Sequence, residues 1–159
     1  MDAGLTAQGV VDFTEATIGS NLDCRGGHLV GIGYQSALSA NRAHINGSVL
    51  LGQGFTAQGE VELVSTTIGS LLECIGGHFV GRFGQPALSM NDAEIKGIVL
   101  LKDGFTAQGE VDLTRATIGS NLECTGGHFI RLGDQSALSI NRSDIKGSVF
   151  MNSSLPRGD

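Results

Sequence analysis

Three cysteines, Cys24, Cys74 and Cys124, recur at the same place in a 50-residue period. Thiolates are the usual ligands of structural zinc and the partners in disulfides, so their relative placement decides whether either chemistry is open. Three histidines, His28, His78 and His128, follow four residues behind them and suit pH sensing or partner binding, because imidazole titrates near neutrality. Carboxylates fall into two further series: Asp12, Glu62 and Asp112, and Asp23, Glu73 and Glu123. Paired carboxylates carry acid–base catalysis only where a cleft shifts their pKa values. Two short phrases complete the candidates. Gly119-Ser120 and its copies have the flavour of a phosphate loop, yet no lysine follows in a helix, so they read as turns. Arg157-Gly158-Asp159 is an integrin-type tripeptide, here at a tail with no secretory signal to support it.

The elements that position these groups are set by repetition, which must be read before any motif. Phe55 begins FTAQGEVELVSTTIGSLLECIGGHF, Phe105 begins FTAQGEVDLTRATIGSNLECTGGHF, and Leu5 opens a third copy. The repeats span 5–54, 55–104 and 105–154, with a short tail at 155–159, and together make one domain. Each divides again into unequal halves, so that Val111-Asp112-Leu113 aligns with Leu138-Ser139-Ile140. Apolar residues come in pairs around one polar residue and the pairs return every five or six positions, with Gly, Ser, Asn and Thr between them. That spacing defeats a helical face and describes short strands joined by turns. Four strands per half-repeat make one coil of a parallel β-helix, and six coils fill the chain.

Four inward columns follow. One reads Phe13, Ala40, Leu63, Met90, Leu113, Ile140; a second is isoleucine throughout, at 18, 45, 68, 95, 118 and 145; a third reads Cys24, Leu51, Cys74, Leu101, Cys124, Met151. The fourth, Ala7, Leu29, Ala57, Phe79, Ala107, Phe129, faces Leu5, Gly27, Phe55, Gly77, Phe105, Gly127, so a large side chain meets a small one at every level. The cysteines then lie two coils apart, about 9.6 Å at the spacing of neighbouring strands. That is too far for a disulfide or a shared metal, and they are expected as buried free thiols, which suit a reducing compartment. The histidines stand equally far apart on an outward column between Thr6, Thr56 and Thr106. No metal, cofactor or catalytic residue is expected.

The run Val111-Asp112-Leu113-Thr114-Arg115 followed by Ala116-Thr117-Ile118-Gly119-Ser120 resembles the pentapeptide-repeat proteins. That resemblance implies an all-β, right-handed quadrilateral β-helix, and for some members a DNA-mimicking, topoisomerase-protecting role. The six-residue steps and the extra loops near 30–37, 80–87 and 130–137 depart from the family pattern and leave a three-sided helix as the other cross-section.

On such a rod the outward residues carry whatever function there is. Leu50, Leu100 and Phe150 are expected on one face as an apolar patch, interleaved with Asp23, Glu73 and Glu123; the series Asp12, Glu62, Asp112 alternates with Ser39, Ser89 and Ser139 and is expected to be solvated charge. The recurring Gln35, Gln85 and Gln135 in the loops are expected to serve turn hydrogen bonding. A net charge of −6 and 16% charged residues set the chain against phosphate-backbone binding and leave a basic partner open. No stretch is apolar enough to span a membrane, and Met1-Asp2-Ala3-Gly4-Leu5 lacks the features of a signal peptide, which places the domain by default in the cytoplasm or within a longer protein. The reading is a non-enzymatic scaffold or protein-interaction module that associates with itself, through its N-terminal coil or an apolar face, or joins a larger assembly. Pro156 is expected to blunt the far end. DNA mimicry is its nearest rival, though serine or an apolar residue interrupts each acidic column. An ice-binding rod is less favoured, because His44, Glu94 and Asp144 break the ladder of Thr17, Thr67 and Thr117.

Overall fold

The computed structural model describes residues 4–152, and the tail with Pro156 and the Arg-Gly-Asp tripeptide lies outside them. Among the described residues twenty-four short strands form four parallel sheets of six strands each, with no helix. The first sheet collects Thr6–Gln8, His28–Val30, Thr56–Gln58, His78–Val80, Thr106–Gln108 and His128–Ile130. The second begins with Val11–Asp12 and Leu38–Ser39, the third with Thr17–Ile18 and His44–Ile45, and the fourth with Leu22–Asp23 and Val49–Leu50. Every sheet pairs each coil with the next in sequence, so the cross-section is four-sided and the three-sided alternative is excluded.

Register follows from the columns. Ile18 faces Ile45 and Ile68 faces Ile95; Ala7 faces Leu29 and Phe79 faces Ala107. The isoleucines at 45, 68, 95 and 118 are fully buried, as are Leu51, Cys74 and Leu101. The first members of the apolar pairs also point inward: Val61, Leu88, Val99 and Leu122 are sealed from solvent, so both residues of a pair build the core. Phe55, Phe79, Phe105 and Phe129 form a continuous tilted stack with ring centroids 5.3 Å apart, within the range aromatic pairs favour. The glycines opposite make room. A Cβ on Gly77 would lie 2.8 Å from Phe79 Cε2 and 2.5 Å from the Leu51 carbonyl oxygen.

Two-residue strands cannot hold a sheet by themselves, and the backbone continues its ladder round the corners. The amide of Glu15 donates to the Asn41 carbonyl at 2.9 Å, Arg42 to Val64 at 2.9 Å, and Asp92 to Thr114 at 3.0 Å. Each coil turns this corner on a left-handed residue: Glu15, Arg42, Ser65, Asp92, Arg115 and Arg142 all have φ between 55° and 61°. Their side chains point outward and two ion pairs run up the corner, Arg42 to Glu15 at 2.9 Å and Arg115 to Asp92 at 2.7 Å. Both pairs are exposed and add little to stability. The one fully buried polar side chain among the described residues, Thr66, donates its hydroxyl to the Ala40 carbonyl at 2.8 Å.

Candidate functional site

The cysteines are buried and free. Burial pushes the Cys24 and Cys124 thiols up to about 11, with Asp23 adding to the effect at Cys24, and Cys74 well above the usual thiol range. No group of three or more His, Cys, Asp or Glu among the described residues is arranged to hold a metal ion. His28, His78 and His128 stand exposed on the first sheet, each in register with threonine. His28 Nδ1 and Thr56 Oγ1 lie 2.7 Å apart.

On the fourth sheet Asp23, Glu73 and Glu123 alternate with Leu50, Leu100 and Phe150 as expected. The apolar patch is smaller than expected: Leu50 and Leu100 are half-buried, and only Phe150 is open to solvent. Each central leucine stands in register between two acidic neighbours, one on the coil to either side. The three carboxylates differ. The Arg25 guanidinium, 2.6 Å away, holds Asp23 below its ordinary range. Lys102 pairs with Glu123 at 3.1 Å. Gly52 stands where Lys102 stands one repeat later, so Glu73 has no lysine; its Oε2 is buried without a hydrogen-bond partner, and burial raises its pKa.

The second sheet corrects the expectation of solvated charge. Ser39, Ser89 and Ser139 are buried, while Glu62 and Asp112 are half-buried, and only Asp12 is exposed. Glu62 accepts hydrogen bonds from Ser36 Oγ and Asn41 Nδ2, and Asp112 accepts one from Asn91 Nδ2 at 2.7 Å. Two further carboxylates, Glu60 and Glu110, stand at the corner before this sheet. They escape a strand-based reading because they lie in the turn after Gly59 and Gly109. The only available signal is that the inserted loops occupy this same corner on the intervening coils. Burial between those loops, with the negative charges of Glu62 and Asp112, raises the Glu60 pKa, against a hydrogen bond from Ser89 Oγ. Burial and Asp112 raise that of Glu110. Among the described residues none of Asp12, Glu60, Glu62, Glu110 and Asp112 forms an ion pair.

The loops follow the first-sheet strands His28–Val30, His78–Val80 and His128–Ile130, and are cross-braced through glutamine as the sequence implies. Gln85 Nε2 donates to the Tyr34 carbonyl at 3.0 Å, and Gln135 Nε2 donates to that of Gly84. Arg82 Nη1 donates to the Gly31 carbonyl at 2.6 Å, and its guanidinium carbon lies 5.0 Å from the Phe83 ring centre. The tips are apolar and exposed: Ile32, Tyr34, Phe83 and Leu132. Tyr34 and Phe83 meet with centroids 4.8 Å apart.

A four-sided coil advancing in steps of five and six residues fits the quadrilateral β-helix of the pentapeptide-repeat proteins. Comparison with known protein families, curated proteins and solved structures returned no match. No helix among the described residues is long and apolar enough to cross a membrane.

Proposed function

We propose that the chain is a non-enzymatic scaffold that binds another protein chain, its own copy or a different one, through a lateral surface. One observation carries this reading. The residues able to do chemistry recur at alternate coils along straight columns, where the repeat holds them apart, while large apolar side chains stand exposed on braced loops. A solenoid of this kind presents long faces whose geometry is held by nearest-neighbour stacking, which suits recognition. Sedimentation equilibrium of the full chain over a dilution series, alone and with Phe150→Ser, tests the self-association branch. A mass that rises with concentration and falls back in the variant supports binding through the fourth sheet. A monomer at every dilution removes that branch.

DNA mimicry is a second reading, favoured by the unpaired carboxylates on the second sheet. Against it, serine occupies that column at every second coil, which breaks the even line of charge a phosphate backbone presents. A gyrase supercoiling assay with added protein is expected to show no change in rate, and a dose-dependent change would favour the mimic.

A further inference from the structure

We infer that the loop tips and the carboxylates beside them form one docking surface, and that its occupant is a basic segment of a partner protein that also carries apolar side chains. The inference deepens the scaffold reading and rests on it.

The apolar half of the surface is built at a cost. Gly33, Phe83 and Gly133 hold the same position in the three loops, with φ of 59°, 55° and 60°. The left-handed region suits glycine and disfavours a bulky side chain. Phe83 adopts it although glycine in the sister loops makes the same turn. The residue is 58% exposed and its ring lies against that of Tyr34, itself 75% exposed. A large ring left in water does little for the fold, and glycine in the sister loops makes the same turn without it. Glutamine cross-braces tie the loops together, so the tips are presented in a set arrangement, which lowers the ordering cost of binding.

Charge identifies the occupant. The short corners between these loops carry Glu60 and Glu110, and the adjoining sheet carries Asp12, Glu62 and Asp112, all without ion pairs among the described residues. Elsewhere the chain answers many of its carboxylates: Asp23 with Arg25, Glu15 with Arg42, Asp92 with Arg115, Glu123 with Lys102, Asp144 with Lys146. Arg82, the cation nearest the tips in the middle loop, is already committed to a backbone carbonyl and to Phe83. A second copy would bring the same carboxylates against its own and be repelled, whereas lysine and arginine would meet acids without ion pairs, four of them half-buried, beside an apolar anchor. Interface hot spots are enriched in tyrosine, tryptophan and arginine, so exposed rings beside carboxylates suit a partner that brings arginine.

Selection of short random peptides displayed on phage against the immobilised full chain tests this. Enriched peptides should combine lysine or arginine with aromatic or aliphatic residues. A recovered peptide, made synthetically, should bind at least about tenfold more weakly to Phe83→Gly/Tyr34→Ser and to Glu60→Gln/Glu110→Gln. It should bind equally to Glu94→Gln, which alters the third sheet. Phe83→Gly copies the sister loops, and a thermal melt of each double variant separates lost binding from lost fold. No enrichment, peptides without basic residues, or affinity indifferent to both double variants overturns the inference. A chain that passes the sedimentation test through Phe150 while failing this one keeps the scaffold reading and loses only the loop surface.

Discussion

A thiol sealed in an apolar stack is a poor nucleophile twice over: it is seldom ionised, and reagents cannot reach it. With Cys24 and Cys124 raised to about 11 and Cys74 higher still, the native protein is expected to leave all three thiols unmodified by an aromatic disulfide reagent at pH 8 over hours, and to release three equivalents in denaturant. Rapid labelling of the native chain would contradict the burial of this column. The glycines facing the phenylalanine stack make the second residue-level case. Gly77→Ala forces a Cβ against a backbone carbonyl and the Phe79 ring, whereas at Gly27, opposite the smaller Leu29, the closest atom is the Cys24 carbonyl oxygen at 3.0 Å. Urea denaturation should therefore show Gly77→Ala costing roughly 1–3 kcal/mol, as overpacking does, and Gly27→Ala clearly less. The identity of these small residues is legible in the alternation of Phe55, Gly77 and Phe105. The left-handed conformation of Phe83 becomes legible only when the three loops are aligned on Gly33 and Gly133, because nothing within a single loop marks it.

At the scale of elements, the corner where loops and second sheet meet and Glu73 on the fourth sheet together control the response to pH. Glu60, Glu73 and Glu110 have pKa values raised above the ordinary glutamate value of 4.5. The folded state then holds more protons than the unfolded state between 4.5 and the raised values, so stability climbs as pH falls through that window. Asp12, Asp23 and Asp92 are shifted the other way, below 3.8; their contribution is present above 3.8 and is lost on further acidification. Thermal melts are therefore expected to peak in mildly acidic buffer and fall on both sides. Glu60→Gln should raise Tm at pH 7 and flatten the neutral limb while leaving the acid limb in place; a melt that falls steadily from pH 7 downward would refute the assignment. Sequence pattern places Asp12, Glu62 and Asp112 on an outward column. The half-burial of Glu62 and Asp112 depends on how far the loop at 31–37 and its copies fold over the neighbouring coil, which alternation along a strand does not encode.

At the scale of the whole molecule the rod is a one-dimensional stack in which each coil touches only its neighbours, so stability is a sum of coil terms and the interfaces between them. Burial already shows the gradient. The isoleucines of the four central coils are fully enclosed, whereas Ile18 and Ile145 in the outer coils are only partly so. Removing a side chain at the centre leaves a cavity bounded by coils on both sides, while at an outer coil the loss falls on one interface and is partly relieved by water. Ile95→Ala should cost about 2–5 kcal/mol, the range for a sealed aliphatic site, and Ile18→Ala distinctly less. Amide hydrogen exchange extends the test along the rod. The central strands, such as Thr67–Ile68 and Glu94–Ile95, should exchange slowest and by global unfolding, the outer coils by local fraying. Ile95→Ala should accelerate exchange on both sides of the cavity, because a solenoid passes the loss of one layer to the layers that stack on it. Equal costs for the two isoleucine variants, or uniform exchange from first coil to last, would mean that the chain melts as one indivisible unit and that nearest-neighbour stacking is the wrong description of what holds it together.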